Sequence, residues 1–157
     1  MALVTPVFFD TSILLGGLID FGGPSRDAQL LLDALADGHL RPVRTAWHCC
    51  LEFYAVATRL PPQFRLPPSD AVRLIEEEIL GRCRVHQLPT ERYRAFLHDA
   101  ERERAAGGRI YDAHIAEIAR RSGSRTIVTD NRRHFTVLLR HGVRVLTASE
   151  AAAEIGA

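Results

Sequence analysis

Short apolar runs alternate with longer amphipathic stretches along the whole chain. That rhythm predicts an α/β domain built on a mostly parallel sheet. The first run, over 4–9, reads as a strand that ends at Asp10. A short helix over 13–19 follows and stops at the turn signal Asp20-Phe21-Gly22-Gly23-Pro24. Ser25 is placed to cap a helix in which Leu30, Leu31 and Leu35 recur at helical spacing, ending by Gly38. A second strand is expected over 40–44, with Thr45 as cap of a helix that runs to about Leu60 before Pro61-Pro62.

Pro67-Pro68-Ser69 opens a further helix to about Leu80, and 84–88 reads as the third strand. Pro89-Thr90 begins a long polar helix that fades at Ala105-Ala106-Gly107-Gly108. Then come a helix over 110–121, a fourth strand over 125–129, a helix over 133–141 closed by Gly142, a fifth strand over 143–146 and a last helix over 149–155. There is no internal repeat, low-complexity tract or linker, so the expectation is one domain over 1–157.

Composition narrows the class. The 46% hydrophobic and 25% charged fractions suit a globular domain. No apolar stretch approaches the ~20 residues of a membrane span, and the start Met1-Ala2-Leu3-Val4-Thr5-Pro6 lacks the pattern of a signal peptide. A cytoplasmic location, away from membranes, is the expectation. Cys49, Cys50 and Cys83 are odd in number and form no CxxC pair, which predicts buried thiols rather than zinc ligands or disulfides. All 20 basic residues are arginine. Receiver-type phosphoacceptor domains and most haloacid-dehalogenase-like phosphatases also carry an Asp after strand one, but they rely on a lysine that this chain lacks. The net charge of +1 excludes nucleic-acid binding by bulk charge alone.

Candidate chemistry lies in four acids. Asp10 and Asp130 follow the first and fourth strands, at the edge where open α/β sheets bind ligands. Glu52 stands in the nearly apolar stretch Trp47-His48-Cys49-Cys50-Leu51-Glu52-Phe53-Tyr54, where a carboxylate must be paired, protonated or facing a metal. Asp112 shares a helix face with the small residues Ala116 and Ala119, which would let that face approach the sheet. Each has a structural alternative. Asp10 could cap a helix, Glu52 could pair with Arg59, Asp112 could complement a helix dipole, and Asp130 could serve a turn. Converging carboxylates repel one another and would partly protonate unless a cation neutralised them. A hard-oxygen cluster of that kind suits Mg²⁺ or Mn²⁺ and the phosphate esters that those ions activate.

The set Phe9-Asp10-Thr11-Ser12, Leu51-Glu52, Ile110-Tyr111-Asp112-Ala113 and Thr129-Asp130-Asn131 with His134-Phe135 resembles the PIN domain, and within it the VapC-type ribonuclease toxins of type II toxin–antitoxin pairs. The likeness covers essentially the whole chain. It implies a five-stranded parallel sheet flanked by helices, with an acidic pocket that holds Mg²⁺ or Mn²⁺ and hydrolyses RNA phosphodiesters. Asp10, Glu52 and Asp112 match the acids that line that pocket. The fourth position is divided between Asp130 and Asn131, since the family often places its acid where Asn131 stands. Thr129 and Ser12 or Thr11 are candidates to support the acids. Arg109, Arg132 and Arg133 could clamp phosphates, although a solvated or salt-bridged surface role is the favoured reading of each, and His114 and His134 are read as packing or RNA contacts. The resemblance also implies a homodimer and a small antitoxin that covers the pocket. The alternatives are a non-catalytic PIN-like module that binds RNA or protein, and a metal-dependent phosphatase or flap nuclease on a related fold.

Overall fold

The central strands owe their place to residues with nothing polar to offer. Val7, Phe8, Phe9 and Ile127, Val128 are wholly buried, as strands covered on both faces by helices must be. The computed structural model describes residues 3–156. Five strands, β1 (Val7–Phe9), β2 (Val43–Ala46), β3 (Arg84–His86), β4 (Thr126–Val128) and β5 (Arg144–Leu146), form one sheet in the order β3-β2-β1-β4-β5. Every neighbouring pair is parallel; Val7 stands opposite Val43 on one side and Thr126 on the other. The predicted α/β class and five-stranded parallel sheet are therefore what the chain adopts.

Around the sheet run α1 (Thr11–Leu18), α2 (Arg26–Ala36), α3 (Trp47–Ala57), α4 (Pro68–Leu74), α5 (Tyr93–Arg102), α6 (Arg109–Arg121) and α7 (Ala148–Gly156). α4 continues into a π-helical turn, Ile75–Leu80. Phe53, Ile115, Ile118 and Phe135 join the strands in one core, with Ala116 and Ala119 buried on the face of α6 that meets the sheet. Cys49, Cys50 and Cys83 are free, buried thiols. Among the described residues no helix is long and apolar enough to cross a membrane.

Several local expectations shift, each for a physical reason. β1 starts at Val7 rather than residue 4, because Pro6 has no N–H for the ladder; its carbonyl instead accepts from the backbone N–H of Arg125 at 2.8 Å. β2 lies three residues later than expected at its start, beyond Pro42. Thr45 is consequently inside the strand and does not cap α3; its hydroxyl donates to the Phe9 carbonyl at 2.8 Å. Ser25 occupies the N-cap position of α2 but turns its hydroxyl to the preceding turn, donating to the Ile19 carbonyl and accepting from the Phe21 N–H. The helix expected over 133–141 is two 3₁₀ stretches, Arg132–His134 and Thr136–His141.

Two helices close on a left-handed residue with the same bonding. At the end of α2, His39 N–H bonds to the Ala34 carbonyl and Gly38 N–H to that of Leu35, with Gly38 at φ 78°. α5 ends in the same pattern, Ala105 to Ala100 and Arg104 to Glu101, but the left-handed residue is Arg104 at φ 56°.

α1 and α2 approach closely because α1 carries Gly16 and Gly17. A Cβ on Gly17 would stand 2.5 Å from Leu32 Cδ2 and 3.0 Å from the Ala28 carbonyl oxygen. Gly17→Ala should therefore lower unfolding stability by about 1–3 kcal/mol. Gly23→Ala, with nothing within 4 Å of its added carbon, should stay within about 0.5 kcal/mol of wild type. Chemical denaturation of the two variants checks this, and equal stabilities would contradict the packing described.

Candidate active site

The sheet reverses its direction of construction between β1 and β4. Strands are added outward to β2 and β3, and the chain then crosses back to add β4 and β5. The carboxyl edge at such a reversal is an open crevice, since the connecting helices leave it in opposite directions. Asp10 stands at that edge directly after Phe9, and its backbone N–H bonds to the Val128 carbonyl at 3.1 Å. Only 2% of Asp10 is exposed.

Asp10 is the backbone cap of α1, its carbonyl accepting from Ile13 and Leu14, yet its side chain makes no capping bond. The carboxylate oxygen Oδ2 instead accepts from Thr129 Oγ1 at 2.8 Å and Ser12 Oγ at 3.1 Å. Those hydroxyls are aimed by the fourth motif. The backbone N–H of Asp130 donates to Ser12 Oγ at 3.0 Å, and that of Asn131 to Thr129 Oγ1 at 3.0 Å. With their oxygens accepting from the backbone, both hydroxyls are free to donate to Asp10.

Glu52 reaches the same edge from α3. Its Oε1 accepts from Thr11 Oγ1 at 2.8 Å and lies 3.7 Å from His48 Nε2 one helical turn earlier. The predicted alternative pairing with Arg59 does not occur. Asp112, in the first turn of α6, has its Oδ2 2.7 Å from His134 Nδ1. That approach lies off the direction of a hydrogen bond, so His134 Nδ1 is a close neighbour of the carboxylate without being hydrogen-bonded to it.

The electrostatics tie the three acids together. Burial pushes the Asp10 carboxyl up to about 6; hydrogen bonds from Thr129 and Ser12 and the nearby Thr11 N–H counter part of the rise, and the charge of Glu52 adds to it. Burial also raises Glu52, opposed by the Thr11 hydrogen bond and reinforced by Asp112. No basic side chain is among the groups that hold either carboxylate down. Behind them, His48 Nδ1 and His114 Nδ1 share a hydrogen bond of 2.8 Å. One ring must present a bare nitrogen to the other, and burial lowers both imidazoles accordingly.

The structure thus places Glu52 within electrostatic reach of Asp10 on one side and of Asp112 on the other. The Asp130 carboxylate is tied elsewhere through one oxygen: Oδ1 accepts from the Ala148 N–H at 3.2 Å, at the start of α7. Asn131 contributes its backbone N–H and is otherwise exposed. Among the described residues, no three His, Cys, Asp or Glu side chains close around one point as a completed metal site would. Helical spacing aligns Glu52 with His48 as well as with Arg59, and the neighbour it meets is His48. Nothing local signals the contact of His134 with Asp112, which is tertiary.

The raised Asp10 value carries a sign. Its folded-state pKa exceeds the ordinary 3.8, so the protonated carboxyl is the form the fold favours. That stability is fully present below about pH 4 and is lost as pH rises through about 6. In EDTA, Asp10→Asn should be stabilising at pH 8 by up to about 3 kcal/mol and close to neutral at pH 4. Thermal melts of both proteins across this window test it; a difference that does not change with pH would sink the assignment.

Comparison with known proteins agrees with this architecture. A family model described as PIN domain matches residues 6–133. Ribonuclease VapC27 of Mycobacterium tuberculosis (strain ATCC 25618 / H37Rv) is 38% identical over 69 residues, which are 44% of this chain and 48% of that protein. The chain thus matches about half the length of this curated relative. The structure of FitAB bound to an IR36 DNA fragment superposes with a TM-score of 0.60 at 17% identity, over 90% of this chain and 94% of that one. FitAcB from Neisseria gonorrhoeae gives 0.59 at 18% identity, over 91% and 98%. At those identities the superpositions speak for the fold, while the family match runs from the residue before β1 into the 3₁₀ turn that carries His134, and on that ground the chain belongs to the PIN-domain family.

Proposed function

We propose that this chain is a divalent-metal-dependent endoribonuclease, hydrolysing RNA phosphodiester bonds as the toxin of a VapBC-type toxin–antitoxin pair. The observation that carries the reading is the Asp10 carboxylate, buried at the switch point of the sheet with Glu52 as its charged neighbour and, among the described residues, no cationic side chain to neutralise it. A buried carboxylate in that position is costly unless it serves something. Similarity to a ribonuclease over part of its length supports RNA as the substrate.

The donor set fits Mg²⁺ or Mn²⁺, since it is hard oxygen throughout and its charges are mutually repulsive. Asp10, Glu52 and Asp112 would hold the ion, with Asp130 or Asn131 in the fourth position. The bound ion would supply Lewis acidity towards the phosphodiester and lower the pKa of a water. The chain's own residues prepare the donors. Thr129 and Ser12 fix the rotamer of Asp10, Thr11 fixes Glu52, and His134 sits against Asp112. The reading extends to one domain over 1–157, a homodimer in the cytoplasm and an antitoxin partner. FitAB and FitAcB superpose on the chain, which supports the shared fold of that reading.

One observation favours a second reading, a non-catalytic module: one oxygen of the Asp130 carboxylate is taken up by the backbone at the start of α7. The two separate in solution. On a mixed RNA pool, the proposed enzyme should cut in Mg²⁺ or Mn²⁺ and not in EDTA, and Asp10→Asn and Asp112→Asn should each abolish cutting while remaining folded. Thr129→Val, which removes only the support of Asp10, should cost about 10–100-fold in metal affinity or activity. His114→Ala should cost less than either Asp variant. An RNA pool left intact, together with no Mn²⁺-dependent rise in melting temperature, would assign the binding module.

A further inference from the structure

A cavity of about 610 Å³ lies between α5, α6 and the 3₁₀ segments over 132–141, and Asp112 and His134 stand in its wall. Six of the chain's arginines line it, against four acids. Every one of those acids already faces a base. Asp99 pairs with Arg102, Glu103 with Arg140, Glu117 with Arg120 at 2.6 Å, and Asp112 meets His134 at 2.7 Å. Arg104, Arg109 and Arg133 remain, exposed and without an ion pair among the described residues.

Two of the three sit where local physics argues against an arginine. Arg104 holds the left-handed position that closes α5, the position that glycine takes at the end of α2. Arg109 is the first residue of α6, where the positive end of the helix dipole disfavours a cation. Residues that break a local rule point to a demand from outside the local structure. With a net charge of +1, the chain offers no general attraction to a polyanion, so any such attraction must be concentrated.

We infer that this groove, through Arg104, Arg109 and Arg133, binds the phosphate backbone of a single-stranded RNA beside Asp112. The inference rests on the ribonuclease reading for its ligand but not for its test. A guanidinium matches phosphate through paired N–H groups. A groove of this volume takes a single strand along its charged wall, beside Asp112. An acidic polypeptide would meet the same charges, and the ribonuclease reading is what selects RNA over it.

The test is fluorescence anisotropy with a labelled 12-nucleotide single-stranded RNA in EDTA, over a salt series. Wild type is compared with the triple variant Arg104→Ala/Arg109→Ala/Arg133→Ala, and with a control triple at Arg26, Arg59 and Arg84, exposed arginines outside the groove. Three lost phosphate contacts should flatten the slope of log K against log salt by about 2. Between 50 and 200 mM salt, wild type should thus lose about 20-fold more affinity than the groove variant. The control should keep the wild-type slope. Wild type that does not bind, or a groove variant with an unchanged slope, overturns the inference. So does a twelve-residue polyglutamate that binds as tightly as the RNA, which would give the groove to an acidic polypeptide. Because the readout is binding without divalent ions, failure here is distinct from failure of metal-dependent cleavage.

Discussion

A carboxylate buried at the one place where the sheet reverses is the constraint around which the rest of this structure is arranged. Asp10 is 2% exposed, and an unpaired charge at that depth is expensive. The chain answers with hydroxyls rather than a base. Ser12 and Thr129 each donate to one oxygen of Asp10 because each hydroxyl oxygen is occupied by a backbone N–H of the β4 loop. A basic partner would stabilise the carboxylate more strongly, and it would also compete with any cation brought there later. Hydroxyls orient the group while leaving its charge unspent.

That arrangement changes the meaning of the Thr129-Asp130-Asn131 segment. In sequence it offers an acid; in space it offers two N–H groups and a threonine hydroxyl to the support of Asp10, and sends its carboxylate the other way to the α7 N-terminus. One tripeptide thereby joins the buried acid to the last helix. Glu52 and Asp112 arrive differently, from helices, each with a histidine beside it. The His48–His114 bond links the two helices behind them, and so fixes the separation of the carboxylates they carry.

The strands at the centre and the acids at their ends were legible because both follow from short-range rules. An apolar run followed by Asp-Thr-Ser or Thr-Asp-Asn marks the carboxyl edge of a buried strand, and the spacing of Asp112, Ala116 and Ala119 marks a helix face that fits against a sheet. Misplacements came where one residue had two good uses. Thr45 caps well and also suits a β-strand; Pro42 moved the strand towards it, and its hydroxyl went to Phe9. Ser25 could cap α2, but the turn before it had its own unpaired groups to satisfy. The pairing of His134 with Asp112 was invisible, since it depends on how the segment after β4 folds back over α6.

Electrostatics imposes a final consistency requirement. On the proposed nuclease reading, an acidic pocket would repel its own phosphodiester substrate. Two unit charges 4 Å apart in a partly screened site interact by about 4 kcal/mol. Part of that opposition would be lifted by cations in the pocket, and part by fixed positive charge close enough to be felt there. In a chain with nearly balanced charge, arginines already engaged with acids cannot contribute, because their fields are cancelled locally. Only guanidinium groups left without a carboxylate count, and they must lie near Asp112 to act within the ~8 Å screening length of physiological salt. Arg109, three residues before Asp112 on the same helix, satisfies both conditions despite the opposing helix dipole. The same helix therefore carries an acid that the helix terminus favours and a base that it disfavours, and the proposed recruitment of an anion to that acid reconciles the two.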